Sequence, residues 1–176
     1  MTIANEELNN ALFQLIHADQ SIDWKAVNEL VTQGADVNAI NKDGHNILTY
    51  FLDELWMSGM DLVINEGALQ AEAEFDRQLA IVNQLIDLGV KADHIVAEDD
   101  STCLDYVRFT NNYKLIEPLI KAGANPNRKS EEDGCTVIDD IASDIHITHG
   151  HPIPVGYWEA MYQILLKYDE QNLSGD

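Results

Sequence analysis

One block of residues occurs three times in this chain, and this repetition constrains the fold more than any other feature. In each copy, apolar residues lie at positions i, i+1, i+4 and i+5, and a glycine follows three residues after the last of them. The copies span residues 26–38, 81–93 and 115–127. The spacing predicts an amphipathic helix, and the glycine predicts a left-handed C-terminal cap that ends it.

A second motif begins about ten residues after each of these glycines. It covers residues 43–48, 99–104 and 133–138, and in each copy an acidic turn precedes an apolar stretch. Asn46, Thr102 and Thr136 are positioned to act as N-caps, because short polar side chains there can accept hydrogen bonds from free backbone N–H groups. Each unit is therefore predicted to contain a tight turn and two helices, which makes the chain all-α.

These two motifs together resemble the ankyrin-repeat family. The resemblance is carried by Gly34-Ala35-Asp36-Val37-Asn38-Ala39 with Asp43-Gly44, and by Gly123-Ala124-Asn125-Pro126-Asn127 with Asp133-Gly134. It implies a single domain over residues 1–176, built as a solenoid of about four degenerate helix-turn-helix repeats with short finger turns and two insertions. The family's Thr-Pro-Leu-His motif is eroded, for example to Asn46-Ile47-Leu48-Thr49.

The repeat boundaries follow from the spacing of the turns. Asp99 and Asp133 are 34 residues apart but Asp43 and Asp99 are 56 apart, so the second repeat has an insertion that forms either a connection or an extended helical hairpin. Pro118 should kink or delay the second helix of the third repeat. We expect a capping repeat at about 5–42, a repeat at about 43–98 with an insertion near 58–73, a repeat at about 99–132, a repeat at about 133–170 with an irregular loop over 147–156, and a polar tail over 171–176.

The charge of the chain favours some partners over others. There are 31 acidic and 10 basic residues, which gives a formal net charge of −21. Such a field repels nucleic acid and anionic membrane surfaces and speeds the encounter with a basic protein, although acidity can also serve solubility alone. The chain lacks a long uninterrupted apolar stretch and a basic, apolar N-terminal signal, so we expect a cytoplasmic protein without a membrane or nucleic-acid partner.

The residues that could support catalysis or metal binding are few. His146, His149 and His151 are candidate metal ligands, but their string in a Pro/Gly-containing loop does not define a tetrahedral site. A surface loop that contacts a partner, or loop histidines without a role, is the favoured interpretation. Cys103 and Cys135 should be free thiols, because the repeat register separates them by about 10 Å. No nucleophile–base motif or phosphate-binding loop occurs, so we expect neither an enzyme nor a cofactor.

The resemblance also implies a binding surface, because ankyrin proteins usually hold partners with the finger tips and the inner faces of the first helices. In the second repeat, this surface corresponds to Lys42, Asp43, His45, Asp53 and Glu54. In the third and fourth repeats, it corresponds to Glu98, Asp99, Ser101, Phe109, Thr110, Glu132, Asp133 and Asp144. Trp56 and Tyr157-Trp158 adjoin the irregular segments and could be exposed interface anchors, although packing in the core is the more usual role of such aromatic residues.

Two functions fit these expectations. The first is a stoichiometric inhibitor, similar to ankyrin-type immunity proteins of secreted bacterial toxins, in which acidic residues would cover a basic partner such as a nuclease. The second is a general ankyrin adaptor or scaffold, which does not need an acidic binding surface. Reversal of the charges on the predicted surface separates the two, since only the inhibitor should lose most of its binding.

Overall fold

The computed structural model describes residues 3–18, 21–65, 68–147 and 155–173, and this part of the chain is mostly helical. The helices are α1 (Ile3–Leu15), α2 (Trp24–Gln33), α3 (Ile47–Asn65), α4 (Ala68–Asp87), α5 (Cys103–Thr110), a 3-10 helix (Tyr113–Leu115), α6 (Ile116–Lys121), α7 (Val137–Ile147) and α8 (Val155–Leu173). Two short strands, β1 (Ile95–Val96) and β2 (Ser101–Thr102), form an antiparallel hairpin before α5. The predicted all-α class is confirmed.

The three repeated glycines end their helices in the same way. Gly34, Gly89 and Gly123 have φ angles of 106°, 88° and 108°, which place them in the left-handed region. The residue after each glycine donates its backbone N–H to the carbonyl oxygen five residues earlier, at N···O distances of 3.0, 3.3 and 3.0 Å. A side chain beyond Cα is strained at such φ values, so glycine is the residue that stops these helices without cost.

The predicted N-caps are also confirmed. Oδ1 of Asn46 accepts the first free N–H groups of α3, at 3.1 and 2.9 Å. Thr102 and Thr136 each donate their backbone N–H and hydroxyl to an aspartate three residues later, Asp105 or Asp139, at distances of 2.7–2.9 Å. These bonds satisfy polar groups that a helix start leaves unpaired, and they set the first residue of each helix.

The helices pack in consecutive pairs, and the last three pairs pack on one another. α1 contacts α2, α3 contacts α4, α5 contacts α6, and α7 contacts α8. We call α1, α3, α5 and α7 the inner helices: α3 packs extensively on α5, and α5 packs on α7. α2, α4, α6 and α8 are the outer helices, and α6 packs on α8. The core between them contains fully buried side chains such as Phe51, Leu55 and Leu119, each worth roughly 1.5–3 kcal/mol of burial.

The turns before the inner helices form three fingers, over residues 34–46, 89–102 and 123–136. Asn38 joins the first finger to the second, because its Nδ2 donates to Gly89 O at 3.1 Å and its Oδ1 accepts from Lys91 N at 2.8 Å. Arg128 joins the third finger to the second through the carboxylate and the backbone carbonyl of Asp100. Side chain–backbone bonds thus hold the three fingers next to one another.

The insertion of the second unit is an extended helical hairpin, one of the two forms that the sequence allowed. α3 has 19 residues and α4 has 20, and residues 66–67 between them lie outside the described part of the chain. Ala71 and Phe75 of α4 are fully buried in a small cluster of their own, against Tyr113 and Tyr157. The hairpin is therefore packed onto the 3-10 helix and α8.

Three boundaries refine the sequence prediction. The second helix of the third unit begins as a 3-10 helix, and α6 has only six residues, which confirms the effect expected of Pro118. α8 begins at Val155 and runs to Leu173, so the predicted loop and the predicted polar tail are both wrong at their edges. No glycine interrupts the end of α8, and polar residues continue a helix readily. Residues 148–154 and 174–176 lie outside the described part.

Candidate partner-binding surface

We call the surface formed by the three fingers and the exposed sides of α3, α5 and α7 the inner face. An aromatic pair lies on it. Trp56 of α3 and Phe109 of α5 stack with their ring centroids 4.8 Å apart and their planes inclined by 27°. Phe109 is 37% exposed, so the pair offers ring surface to solvent. Aromatic residues in such positions are enriched among the residues that dominate protein–protein affinity.

Arg108 connects the aromatic pair to α7. Its Nε donates to Asp144 Oδ2 at 2.6 Å and its Nη2 to Asp144 Oδ1 at 3.1 Å, while Nη1 donates to Asp140 Oδ2 at 2.8 Å. The guanidinium carbon also lies 5.0 Å from the ring centroid of Phe109. Every branch of this guanidinium is thus engaged, and it ties α5 to α7.

A cavity of about 180 Å³ lies between the second and third fingers. Its lining includes Asp99 and Asp133 from the fingers, Asp105 and Phe109 from α5, and Asp140 from α7. The pKa of the Asp140 carboxyl is raised, mainly by burial; Arg108 lowers it, and the carboxylates of Asp133, Asp105 and Asp144 raise it. The cavity therefore carries an excess of negative charge even after its internal ion pair is formed.

Asp53 is a half-buried carboxylate that lies about one helical turn before Trp56 on α3. Burial raises the pKa of Asp53, and the carboxylates of Asp99, Glu54 and Asp43 raise it further, while His45 lowers it. The ionised form of Asp53 is therefore unfavourable in the folded chain, and an added cation would relieve the repulsion.

Most of the predicted binding residues lie at the surface, though not equally. The exposed ones are Lys42, Asp43, Glu98, Asp99, Phe109, Glu132 and Asp133. The half-buried ones are Asp53, Glu54, Trp56, Ser101 and Asp144. The inner face thus brings together most of the side chains that the sequence assigned to a partner.

Two of the predicted residues lie in the interior instead. His45 is only 8% exposed, and its ring lies 5.7 Å from that of Tyr106. Thr110 is 2% exposed and its hydroxyl donates to Val107 O at 2.9 Å. Both residues were assigned to the binding surface from their positions in the repeat. In the structure, however, the side chain of His45 points inward from the finger, and that of Thr110 packs on the core at the last turn of α5. Their assignment as exposed contacts is corrected accordingly.

Glu54 has a structural role within the inner face. Its carboxylate accepts the Tyr50 hydroxyl at 2.6 Å and the backbone N–H of Ala18 at 2.9 Å, and it lies 3.5 Å from His17. Burial and the carboxylate of Glu54 raise the pKa of Tyr50 to about 12. Glu54 therefore joins α3 to the segment after α1, and a change there would disturb folding as well as binding.

A second groove, of about 760 Å³, lies between α1 and the first finger. Phe13 and Tyr50 line it together with Ile40, which is 51% exposed. The sequence indicated an apolar stripe in α1 and assigned it to capping, so this groove was missed. Ile40, an apolar residue in the first finger, was the one feature of the sequence that could have indicated this groove.

The metal-ligand candidates are not assembled by the described residues. His146 is exposed near the end of α7, and His149 and His151 lie outside the described part of the chain. Among the residues that the structure describes, Asp133, Cys135 and Asp140 lie within 4.8 Å of one another. Burial and the neighbouring carboxylates raise the pKa of the Cys135 thiol, which keeps it protonated and makes it a poor metal ligand at neutral pH.

The remaining aromatic and cysteine residues have packing roles. Trp158 is buried rather than an exposed anchor, and Tyr157 packs edge-on against Phe75 with centroids 5.4 Å apart. Cys103 is fully buried with its Sγ 3.1 Å from Ala92 O, and burial raises the pKa of its thiol strongly. The thiol of Cys103 is thus held in its protonated, unreactive form.

The sequence missed Asp105, Arg108 and Asp140 as members of the inner face. Asp140 and Asp144 lie four residues apart, and a helix places such residues on one face. Arg108 precedes Phe109 on α5, where a single cation among many acids could have been noticed. Their convergence depends on the crossing of α5 and α7, which the repeat pattern alone does not specify.

No model of a known protein family matches this chain, and no curated protein matches its sequence. Among the described residues, the helices are all too short or too polar to cross a membrane.

Proposed function

We propose that this chain is an ankyrin-type repeat protein whose inner face binds a basic partner protein and covers that partner's functional surface. An immunity protein that neutralises a secreted bacterial toxin in the cytoplasm is the function that fits this behaviour. Two observations support the repeat type: the three glycine caps have the same bonds, and α3, α5 and α7 each follow a finger.

The observation that carries the functional proposal is the excess of negative charge around the aromatic pair. Within the described part of the chain, no hydrogen bond or ion pair holds the carboxylates of Asp43, Glu98 and Glu132 at the finger tips. The cavity beside Arg108 is lined by further carboxylates, among them Asp99, Asp105 and Asp133. Unpaired carboxylates on a recognition surface raise the rate of encounter with a basic protein and disfavour acidic ones.

The test is co-expression of this chain with the product of the adjacent reading frame, followed by measurement of growth and of binding kinetics. We expect the chain to bind that protein and to suppress its toxicity. A variant with Asp43→Lys, Glu98→Lys and Glu132→Lys should lose about 10- to 1000-fold in association rate, because these side chains supply long-range attraction. Failure to bind or to neutralise the adjacent product contradicts the inhibitor function.

A matched control carries the same charge change on the outer helices. Glu29, Asp87 and Glu159 are exposed on α2, α4 and α8, and their replacement by lysine changes the net charge equally. This control should retain most of the association rate. An equal loss in both variants would mean that net charge alone, and not the inner face, attracts the partner.

The second candidate is an adaptor without an inhibitory role, and the groove between α1 and the first finger favours it. That groove has an apolar component from Phe13 and Ile40, which could seat an extended segment of a partner irrespective of charge. In that case the lysine variants bind as well as the natural chain, whereas Ile40→Asp weakens binding.

A further inference from the structure

The exposed aromatic pair is not explained by packing alone. Trp56 and Phe109 come from two different helices and stack at 4.8 Å, yet more than a third of Phe109 faces solvent. The other phenylalanines with described roles in the core, Phe51 and Phe75, are fully buried. Trp56 stacks on Phe109 and Arg108 lies over the same ring, so a partner's side chain would meet the remaining solvent-exposed surface of the pair.

The contact between Arg108 and Phe109 indicates which type of side chain these rings can bind. The guanidinium of Arg108 lies 5.0 Å from the Phe109 centroid, a distance at which a cation is attracted by the ring face. That guanidinium is fully engaged with Asp140 and Asp144, so it does not neutralise the acids on the α3 side of the pair. The acids on that side therefore remain available to a cation from a partner.

The acid on that side is Asp53. It lies three residues before Trp56, and a helix places such residues next to each other on one face. The carboxylates whose charges raise its pKa come from three elements: Asp43 from the first finger, Glu54 from α3 and Asp99 from the second finger, while His45 lowers it. Within the described residues, no hydrogen bond or Lys or Arg ion pair reaches the Asp53 carboxylate.

We propose that Trp56, Phe109 and Asp53 form an anchor site for one arginine side chain of the basic partner. The guanidinium stacks on the exposed ring surface and donates hydrogen bonds to Asp53. Arginine fits better than lysine, because its planar group can stack and bond to a carboxylate at the same time. The anchor site deepens the proposed function and rests on it, since it names the side chain that the inner face holds.

The test uses ¹⁵N-labelled full-length chain and the capped peptide acetyl-Gly-Arg-Gly-Arg-Gly-amide. The indole N–H signals of the three tryptophans are separate probes, and loss of one signal in Trp56→Phe identifies that of Trp56. We expect the Trp56 signal to shift with added peptide while those of Trp24 and Trp158 stay unchanged. The lysine peptide should bind several-fold more weakly, and the uncharged citrulline peptide should leave the spectrum unchanged.

Two variants and one control complete the test. Asp53→Asn should weaken binding of the arginine peptide about tenfold, and Phe109→Leu, which keeps an apolar side chain, should remove the preference for arginine over lysine. Asp87→Asn removes the same charge from an exposed site on α4 and should bind as the natural chain does. An unmoved Trp56 signal, an equal response to citrulline, or an equal loss in Asp87→Asn overturns the anchor site.

The same variants separate this anchor from the proposed function when the whole partner is used. If Phe109→Leu and Asp53→Asn bind the partner within about twofold of the natural chain while the finger-tip lysine variant does not, the acidic surface stands and the anchor site is overturned. If the adjacent gene product does not bind but the arginine peptide shifts the Trp56 signal as expected, the anchor site is supported and the proposed inhibitor function is contradicted.

Discussion

The acidic residues of the α4 hairpin and those of the inner face have different partners. On α4, Glu72 and Asp76 both lie 2.7 Å from the Lys114 ammonium group, and Glu74 is paired with Arg77. On the inner face, Arg108 is shared by two aspartates, and Asp53 has no such cation. The same residue type therefore stabilises the fold on one side and remains without a lysine or arginine partner at Asp53 on the other.

Buried polar contacts of the hairpin should give the largest effect on stability. Asn112 is fully buried, and its Nδ2 donates to Phe75 O at 3.0 Å and to Gln78 Oε1 at 2.9 Å. Asn112→Ala removes these buried hydrogen bonds and should lower the free energy of unfolding by about 2–3 kcal/mol. Urea denaturation measures this loss. Asn83→Ala, at an exposed position of α4, should change stability by about 0.5 kcal/mol or less, and an equal loss there would contradict the role of Asn112.

On the inner face, Arg108→Met should have the next largest effect. The substitution leaves the half-buried Asp140 and Asp144 without their cation, and we expect a loss of about 2 kcal/mol at neutral pH. The loss should shrink toward about pH 4, because protonated carboxyls neither pair with arginine nor repel each other. Thermal unfolding at both pH values checks this, and a loss independent of pH would point to packing rather than charge.

The ion pairs of Lys114 should contribute less, since they are partly solvated. Lys114→Met breaks the bridge from the 3-10 helix to Glu72 and Asp76 and should cost about 0.5–1 kcal/mol, with a smaller loss in high salt. Lys121→Met is the control, because Lys121 is exposed and pairs only at 3.5 Å with Glu117. Melting temperatures in low and high salt distinguish the two variants, and equal values would remove the contrast between the paired hairpin and the rest of the surface.

The smallest expected effect has the opposite sign. The raised pKa of Asp53 means that folding favours its protonated form, so the ionised carboxylate costs stability at neutral pH. Asp53→Asn should therefore stabilise the chain by about 0.5 kcal/mol at pH 7, and the gain should fade as the pH falls through the folded pKa. Asp139→Asn should destabilise instead, because bonds from Thr136 lower the pKa of Asp139. Denaturation over a pH series tests both signs.

Much of the local structure was predictable because it depends on neighbouring residues. The three glycine stops, the N-caps at Asn46, Thr102 and Thr136, and the delay caused by Pro118 were all confirmed. Exposure was predicted less well. His45 and Thr110 were placed on the surface by register, but the direction of a side chain in a finger or in a last helical turn depends on what packs beside it.

The acidic character of the chain, its helical units and the positions where the helices stop were determined by the sequence alone. These properties follow from charge, from apolar spacing and from the backbone freedom of glycine, all of which act over a few residues. The tertiary structure decided which acids would be neutralised and which would stay open. Lys114 pairs with two carboxylates of α4 and Arg108 with two of α7, whereas Asp53 pairs with neither of these cations. The reason is that the packing of distant helices sets the distances over which charges interact.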